Sequence, residues 1–540
     1  MMRPGALLLL CGLFLCVPAQ ADGVSRALLE IHERLYQEQD GRNIFAGSTV
    51  YEPALVAKFY EVRDYRPAWT DSAYARDMIE LLKSSAHEGL NPADYHYDEL
   101  LSLIEQYDRA SSGKDEIHAR AEVLLTDGIV LYARHLMQGK VDPSTLDSSW
   151  NYKRTELDPV EVAGELASAI ANKQVAEVLE GLKPRLEFYT LMKDELKRLR
   201  GLEGMERFAP VPLEPVLHPG DSHPNVVLLR QRLRQLAYLS RQAPDTELYD
   251  ETVEAAVRRL QRDHGLDVDG VVGRQSFDIL NLTLVEKINQ LRINLDRVRW
   301  VNETMTDDFI VVNIAGYELY YMRDGHDVWE TPVMVGKIST RTPIFHARLD
   351  YLEFNPTWNA PRSLVRGLVP KFKADPQYAL ERGYRFYGAD GRAAPASAID
   401  WGAQTPGSFP YRVVQSPGPY NAMGRVKFMF PNRHAIYLHD TPSRELFSRN
   451  QRAFSAGCIR VKNPLELARV LLDDPQDWST ERIQALVDSG KPQEVVKMQR
   501  DVDVLLMYWT VSPTVENRLQ YHHDIYQLDP AALAALDASH

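Results

Sequence analysis

Two side chains in the last third of the chain have the types that a thiol-based reaction needs. Cys458 lies in the run Phe-Ser-Ala-Gly-Cys-Ile-Arg-Val at 454–461, and His439 lies nineteen residues before it. A thiol becomes a strong nucleophile only as a thiolate, and a neighbouring imidazole can take its proton and stabilise the resulting ion pair. The pair therefore predicts nucleophilic catalysis, with Cys458 as the nucleophile and His439 as its base.

The other two cysteines support this interpretation, because both lie in an apparent export signal. Arg3 is followed by a short apolar run at 5–17 that contains Cys11 and Cys16, and then by Ala-Gln-Ala at 19–21. This pattern predicts a cleaved signal peptide over 1–21. A retained anchor is the alternative, but the run is shorter than the roughly 20 residues that span a bilayer, and a lipid-modified Cys16 would need a small residue after it. Cys458 is then a lone thiol in an exported protein, either buried and inert or kept for chemistry.

Composition limits the classes of partner. The chain has 540 residues, 44% hydrophobic and 25% charged, with a formal net charge of -13. That length predicts several domains, and an acidic balance argues against a nucleic-acid partner. No later stretch is apolar enough to span a bilayer, so we expect an exported protein, soluble or loosely wall-associated, without stable membrane insertion.

The first half of the chain has the apolar periodicity of helices. Residues 22–207 are predicted to form a helical scaffold domain, and the proline-rich residues 208–216 a linker. Residues 217–284 predict a compact module of three helices, the second of them over 251–264 with a glycine at its end. The aspartates at 267 and 269 do not have calcium-loop spacing, so turn chemistry is the better interpretation.

The second half has the two-residue alternation of strands. We predict a mainly β catalytic domain at 305–480 that begins with a hairpin over 309–321. Residues 361–420 interrupt the alternation and predict a lid insertion. Residues 481–540 are expected to complete the scaffold and the catalytic sheet, with a late strand at 503–510. The predicted fold class is thus multidomain α+β.

Strand alternation also predicts which side chains share a face. Tyr437 and His439 fall on one face of their strand, and Cys458 and Arg460 on one face of theirs. Gly457 lets a substrate approach the backbone, and amides near it can face an oxyanion. Arg460 is suited to a bidentate hold on a substrate carboxylate.

Three neighbouring side chains allow two interpretations each. Trp358 and Tyr437 are either core aromatics or substrate contacts. Asp440 either orients His439 or simply ends the strand.

A metal centre is the less favoured interpretation of the histidines. His434, His439 and Cys458 could form part of a zinc site, but a fourth ligand at useful spacing is missing. His522 and His523 are adjacent, and we expect a surface pair. We therefore predict no metal and no cofactor.

Two segments resemble known families. Residues 217–284 resemble the small three-helix peptidoglycan-binding domain, through Tyr-Asp-Glu-Thr at 249–252 and Gly-Leu-Asp-Val-Asp-Gly-Val-Val-Gly at 265–273. His439 followed by Ser-Ala-Gly-Cys-Ile-Arg at 455–460 resembles the L,D-transpeptidase signature, H-x(14–17)-[S/T]-H-G-C-x-[R/N]. The whole organisation is similar to the large periplasmic L,D-transpeptidases. One departure is Ala456, where the signature has a histidine.

The resemblance implies a function. Cys458 would attack a tetrapeptide stem, release D-alanine and form a thioester that an amine of a second stem resolves, giving a 3→3 peptidoglycan cross-link. His439 would be the base and then the acid, Ser455 would join the substrate contacts, and carbapenems would acylate Cys458. Alternatives are a cysteine carboxypeptidase or amidase that uses water, transfer of stems to a protein acceptor, and a peptidoglycan-binding protein without activity. Without the histidine at 456, the oxyanion site would rest on backbone groups.

Overall fold

A computed structural model describes residues 23–37, 44–45, 48–152, 154–203, 210–302, 307–324, 326–514 and 518–538. The predicted signal peptide, 1–21, lies outside the described residues. Within the described ranges, no helix is both long enough and apolar enough to cross a bilayer. The chain divides into two compact units.

The first unit is helical and takes the described residues up to Lys140, residues 154–184 and the C-terminal end from Asp537. On its long helix, buried Asp127 accepts hydrogen bonds from the Tyr51 and Glu52 amides at 3.0 and 2.7 Å, which ties a neighbouring segment to that helix. The elements are α1 (Gly23–Gln37), β1 (Ile44–Phe45), β2 (Ser48–Thr49), α2 (Pro53–Val62), α3 (Ser72–Lys83), α4 (Tyr97–Arg109), α5 (Lys114–Gln138), α6 (Pro159–Ala171) and α7 (Val175–Gly181).

The second unit takes residues 141–153 and 185–536. Its first helices are α8 (Glu187–Arg200), α9 (Pro224–Gln235), α10 (Glu251–Asp263), α11 (Arg274–Leu280) and α12 (Leu284–Arg299). Helices α9, α10 and α11 enclose a hydrophobic core of their own, as the periodicity of 217–284 predicts. Helix α10 begins at Asp250, whose carboxylate accepts from the amides of Thr252 and Val253, both at 3.1 Å.

The β elements of this unit follow α12 in the chain. They are β3 (Asp308–Asn313), β4 (Glu318–Arg323), β5 (His326–Gly336), β6 (Phe345–Arg348), β7 (Tyr351–Phe354), β8 (Trp358–Asn359), β9 (Tyr384–Tyr387), β10 (Ala393–Ala394), β11 (Arg412–Gln415), β12 (Val426–Met429), β13 (Leu438–His439), β14 (Ala453–Ser455), β15 (Ile459–Val461), β16 (Glu494–Lys497), β17 (Asp503–Met507), β18 (Val511–Pro513) and β19 (Leu519–Tyr521). The later helices are α13 (Arg362–Ala374), α14 (Pro376–Glu381), α15 (Pro464–Leu472), α16 (Thr480–Asp488) and α17 (Asp529–Asp537).

The large sheet brings the two candidate catalytic strands together. Its order is β16-β7-β12-β13-β15-β5-β4-β3-β17-β6, with β14 paired to β5. Strands β13 and β15 are parallel neighbours, with Leu438 opposite Ile459 and His439 opposite Arg460. The late strand β17 lies in the same sheet, parallel to β3 and antiparallel to β6. The fold class is therefore the α+β arrangement that the sequence predicts.

The predicted lid has a sheet and a core of its own. Strands β10-β9-β11-β8 form a separate four-stranded sheet. Phe372 of α13 packs against Tyr384, Phe386 and Trp401, with ring centroids 5.0, 5.3 and 5.8 Å away. The insertion is thus a small folded layer that begins at Trp358, before the predicted boundary at residue 361.

Three expectations differ from the structure. Helix α12 fills a stretch that the sequence left unassigned, and Leu291, Leu295 and Val298 of this helix are buried in the core of the second unit. Helix α8 packs against α12 and lies in the second compact unit, whereas the sequence pattern groups it with the scaffold at 22–207. The strand expected at 435–439 has only two residues, because Ala435 has a φ of 55°, which no strand residue adopts.

Candidate active site

The turn that carries Cys458 is held by polar side chains. The hydroxyl of Ser455 donates to the Cys458 carbonyl at 2.6 Å and accepts from the Gly457 amide at 3.0 Å. The hydroxyl of Thr342 donates to the Gly457 carbonyl at 2.7 Å. Gly457 has a φ of 122°, and a Cβ placed there would lie 3.2 Å from Cδ1 of Ile436. Glycine is needed because of both the backbone angle and the close contact.

These bonds change two expected roles. The Gly457 amide already donates to Ser455, so it is not available to the oxyanion for which the sequence proposed it. Ser455 is buried, and its hydroxyl is engaged within the turn instead of facing a substrate. Among the described residues, the Cys458 amide has no recorded acceptor, which leaves it as the main-chain donor at this turn.

The Cys458 sulfur is the free thiol of the described residues. It lies 3.7 Å from the carbonyl oxygen of Ala435. Burial raises the pKa of the thiol, whereas hydrogen bonds from the main chain and the side chain of Tyr437 lower it, followed by the charges of Lys427 and Arg460. Burial is the largest of these effects, so the resting form is the protonated thiol.

His439 is buried beside this thiol strand in its neutral form. Its Nδ1 lies 2.5 Å from the Asp440 carbonyl oxygen, and because a carbonyl only accepts, Nδ1 carries the hydrogen and Nε2 has the free lone pair. Burial, and then the charge of Arg460, lower the pKa of His439 to about 3. The imidazole ring packs against Tyr437, with centroids 5.6 Å apart.

Asp440 orients the imidazole through its main chain. Its buried carboxylate accepts from the amide and Nε of Arg425, both at 2.9 Å, and from Arg444 at 3.2 and 3.3 Å. The carboxylate therefore fixes the chain after β13, while the carbonyl of the same residue holds the His439 ring. This answers the choice left open between an orienting residue and a strand end, because Asp440 is both.

Positively charged side chains lie on the reactive face, which is the face that carries Tyr437, His439, Cys458 and Arg460. Lys427 lies opposite His439 on β12, with its Nζ 3.2 Å from a Glu353 oxygen and 4.8 Å from the centroid of the Tyr437 ring. Arg460 is opposite His439 on the other side, and its Nε is buried without a hydrogen-bond partner among the described residues. Sequence reasoning did not single out Lys427 as a site residue, because its place on this face depends on the pairing of β12 with β13.

Four of the predicted residues meet and one lies elsewhere. Pairing of β13 with β15 places His439 opposite Arg460. Tyr437 directly precedes β13 and Cys458 directly precedes β15, and Tyr437 and Arg460 both lower the pKa of the Cys458 thiol. Trp358 is 8% exposed and belongs to the hydrophobic core of the lid layer. The structure therefore places Trp358 as a core aromatic, the other interpretation that the sequence allowed.

The histidines outside this face do not form a metal centre. No group of three or more histidine, cysteine or acidic side chains within the described ranges could hold a metal ion. His522 is buried, and its Nε2 lies 2.7 Å from the Ser512 hydroxyl, so the expectation of a surface pair at 522–523 is wrong for this residue. Burial lowers its pKa to about 4, and it is neutral like His439.

Comparison with protein-family models assigns the segments. Residues 54–196 match the model described as "Scaffold domain", residues 222–280 the "Putative peptidoglycan binding domain", and residues 307–487 the "L,D-transpeptidase catalytic domain". The catalytic match includes every residue of the reactive face. The chain thus contains segments that match a scaffold domain, a peptidoglycan-binding domain and an L,D-transpeptidase catalytic domain.

Individual proteins agree with this assignment. The chain is 29% identical over 478 residues to the "Putative L,D-transpeptidase" of Haemophilus influenzae, a match that covers 88% of this chain and 78% of that protein. Solved L,D-transpeptidases also match. The one from Xylanimonas cellulosilytica is 15% identical, with 55% of this chain and 98% of that one covered and a TM-score of 0.17. The one from Stackebrandtia nassauensis is 11% identical, with 54% and 94% covered and a TM-score of 0.22. At these scores the structural likeness adds nothing to the domain assignment.

Proposed function

We propose that this chain is a cysteine-dependent L,D-transpeptidase that forms 3→3 cross-links between peptidoglycan stem peptides. One observation carries the proposal: in a segment that matches an L,D-transpeptidase catalytic domain, a free thiol directly precedes a strand that pairs with the strand of a neutral buried histidine, and the charges of Lys427 and Arg460 act on both groups. A thiol, a base and carboxylate-binding charges are what acyl transfer between stem peptides requires.

The donor stem binds through its negative charge. A tetrapeptide stem ends in a carboxylate, and Arg460 and Lys427 present positive charge to the reactive face. The buried Nε of Arg460 has no partner among the described residues, so a carboxylate there would satisfy it. This places the stem with the carbonyl of the L-centre of diaminopimelate next to the sulfur.

Binding also activates the base. Arg460 is the second-largest cause of the lowered pKa of His439, after burial. A substrate carboxylate beside Arg460 offsets that charge and raises the pKa of His439, so the imidazole becomes a better base when a donor is present. The thiol proton is then transferred to Nε2 of His439 when the sulfur attacks a bound donor. It is not transferred in the free enzyme.

Acylation and deacylation follow from these positions. The sulfur of Cys458 forms a bond to the stem carbonyl carbon, and the bond to the terminal D-alanine nitrogen breaks. His439 returns the proton to that nitrogen, which leaves as the amine of D-alanine. An amine of a second stem then attacks the thioester, gives its proton to His439 and displaces the thiol, which takes the proton back. The resulting amide bond is the 3→3 cross-link.

The developing oxyanion has two donors in this scheme. The Cys458 amide faces it from the turn, and the hydroxyl of Tyr437 lies beside the sulfur. Burial raises the pKa of Tyr437, so the phenol stays protonated and can donate. In this scheme the tyrosine hydroxyl supplies a hydrogen-bond donor in place of the signature histidine, whose position is occupied by Ala456 in this chain.

The peptidoglycan-binding domain fits the same substrate. It shares its unit with the catalytic domain, and Asn450 of the catalytic domain donates to Asp267 of the module at 2.8 Å. We propose a periplasmic location, where both stems are found.

The test combines two measurements on purified protein. Incubation with tetrapeptide-containing peptidoglycan, followed by digestion and mass spectrometry of the muropeptides, should give 3→3 dimers and free D-alanine. Cys458→Ala should give none. A carbapenem should add its mass to the peptide that contains Cys458.

Two outcomes would contradict the proposal. Tripeptide products without dimers would show that water is the acceptor. Dimers from the Cys458→Ala protein, or a carbapenem adduct that survives this substitution, would show that the thiol is not the nucleophile.

A further inference from the structure

One asparagine organises the loop that faces the Cys458 sulfur. The side chain of Asn432 donates from Nδ2 to the carbonyls of Phe430 and Ile436, both at 2.7 Å. Its Oδ1 accepts from the amides of His434 and Ile436, at 3.0 and 3.1 Å. Both donor hydrogens and both acceptor lone pairs of the amide are in use. Asn432 is thus bonded only to the main chain of its own loop.

Two of these bonds fix successive peptide groups. In a trans peptide, the C=O and the following N–H point in opposite directions. The Ile436 amide points to Asn432, so the Ala435 carbonyl of the same peptide points away from it, and that oxygen lies 3.7 Å from the Cys458 sulfur. The Ile436 carbonyl also points to Asn432, so the Tyr437 amide of that peptide points away from Asn432, and the Tyr437 main chain is one of the groups that lower the pKa of the Cys458 thiol.

The two peptide groups serve different states of the sulfur. The Ala435 carbonyl can accept from the protonated thiol, whereas the Tyr437 amide donates to the thiolate. A single loop therefore offers partners to Cys458 before and after proton transfer. The orientation of both groups depends on the two bonds between Asn432 and Ile436.

The backbone of the loop does not favour this arrangement by itself. Ala435 has a φ of 55°, a left-handed conformation that is unfavourable for a residue with a Cβ. The Ile436 side chain packs on the Cα of Gly457, where it leaves only 3.2 Å for an added Cβ. Local strain at Ala435 is thus maintained next to the reactive turn, which is where strained backbone is tolerated for function.

We propose that Asn432 is a positioning residue for the Cys458 thiol, because it orients the Ala435 carbonyl and the Tyr437 amide toward the sulfur. The inference deepens the proposed function, on which it rests for the role of the thiol. The other groups that act on the sulfur are Lys427 on β12, Arg460 on β15 and the phenol of Tyr437, and the side chain of Asn432 bonds to none of them.

The test measures the reactivity of the thiol directly. The full chain, as wild type, Asn432→Ala and Asn432→Ser, is alkylated with iodoacetamide between pH 6 and 10. The modified fraction is read on the peptide that contains Cys458. Loss of the Tyr437 amide bond should raise the apparent pKa of the thiol by about one unit and slow alkylation at neutral pH by about tenfold in the Ala variant. The Ser variant keeps one acceptor and should fall between the Ala variant and wild type.

A matched substitution separates positioning from general loss of structure. Asn281 also spends its side-chain amide on the main chain, with bonds to the amide and carbonyl of Val211 at 2.9 Å, but it lies in the peptidoglycan-binding module. Asn281→Ala should therefore keep the alkylation profile of wild type. Thermal unfolding establishes that each variant is folded. If the Ala variant fails to fold, the Ser variant is compared with wild type alone.

The proposal is overturned if folded Asn432 variants keep the wild-type profile, or if Asn281→Ala shifts it equally. Alkylation needs no peptidoglycan, so the two proposals can fail separately. A shifted profile in a protein that makes no dimers would refute the transpeptidase and leave the positioning role intact. Normal dimer formation with an unshifted profile would refute only the role of Asn432.

Discussion

Two buried histidines in the second unit show what separates a base from a structural side chain. His439 and His522 are 2% and 8% exposed, and burial lowers their pKa values to about 3 and about 4. Each is therefore neutral and hydrogen-bonded, His439 to a carbonyl and His522 to the Ser512 hydroxyl. Of these two histidines, only His439 lies on β13, which pairs with β15, the strand that begins directly after Cys458. Burial makes both imidazoles neutral, and the proposed function gives the role of base only to His439, because its strand pairs with the one that follows Cys458.

The strongest way to break this comparison is to replace each histidine by glutamine. His439→Gln should lower the rate of dimer formation by about 10³-fold, because the amide cannot carry the thiol proton. His522→Gln should stay within about twofold of wild type, since glutamine can still bond to Ser512. Initial rates from muropeptide analysis decide this. Equal losses in the two variants would remove the distinction.

Stability should respond to pH through the same two residues. A histidine that is neutral in the folded state takes up a proton more readily when unfolded, so folding is opposed by acid. The contribution of His522 is fully present above pH 6.5, the usual value, and is lost as the pH falls toward its folded value of about 4. The full change is on the order of 3 kcal/mol.

Urea unfolding at pH 7.5, 5.5 and 4.5 measures this dependence. His522→Gln should be less sensitive to acid than wild type, and so should His439→Gln. If a variant of either residue loses as much stability as wild type between pH 7.5 and 4.5, that histidine is not neutral in the folded protein.

Arg460→Lys sharpens the electrostatic side of the comparison. Lysine keeps the positive charge that acts on His439 but loses the planar fork that can hold a carboxylate in two bonds. We expect KM for the donor to rise by about tenfold and kcat to change by less than about threefold. Arg482→Lys, at an exposed ion pair with Asp477, is the matched control and should leave both constants unchanged. A fall in kcat without a change in KM would mean that Arg460 acts on the chemical step.

Trp358→Phe should have the smallest effect. The side chain packs in the core of the lid layer, where phenylalanine keeps most of the contacts. KM and kcat should stay within about twofold of wild type, while the midpoint of thermal unfolding falls by a few degrees. An increase in KM of more than about fivefold would restore the role of substrate contact.

The reactive strands were predictable because their signals are local. Cys458, Gly457 and Arg460 are adjacent in the chain, and alternation alone puts Cys458 and Arg460 on one face. The three helices of the module follow from apolar spacing for the same reason. Helix α12 was missed because it is buried nearly all around, with Asn294, Asp296 and Arg299 among its buried residues, so its sequence lacks a clear apolar stripe.

What the sequence could not show depends on pairing across the sheet. Lys427 lies at the site because β12 pairs with β13. Trp358 lies outside the site because β8 pairs with β11 in another sheet. The burial of His522 likewise could not be predicted, because a sequence does not show which of two adjacent histidines packs inside the protein.

By itself, the sequence determined the α+β class and predicted the domains and the roles of the thiol, the histidine and the arginine, because residue types and short-range periodicity carry that information. The tertiary structure decided how these groups act. It committed the Gly457 amide to Ser455, gave the imidazole the Asp440 carbonyl instead of the carboxylate, and set two peptide groups of the Asn432 loop against the sulfur. These contacts depend on backbone angles and on the packing of neighbouring segments, which only the folded protein fixes.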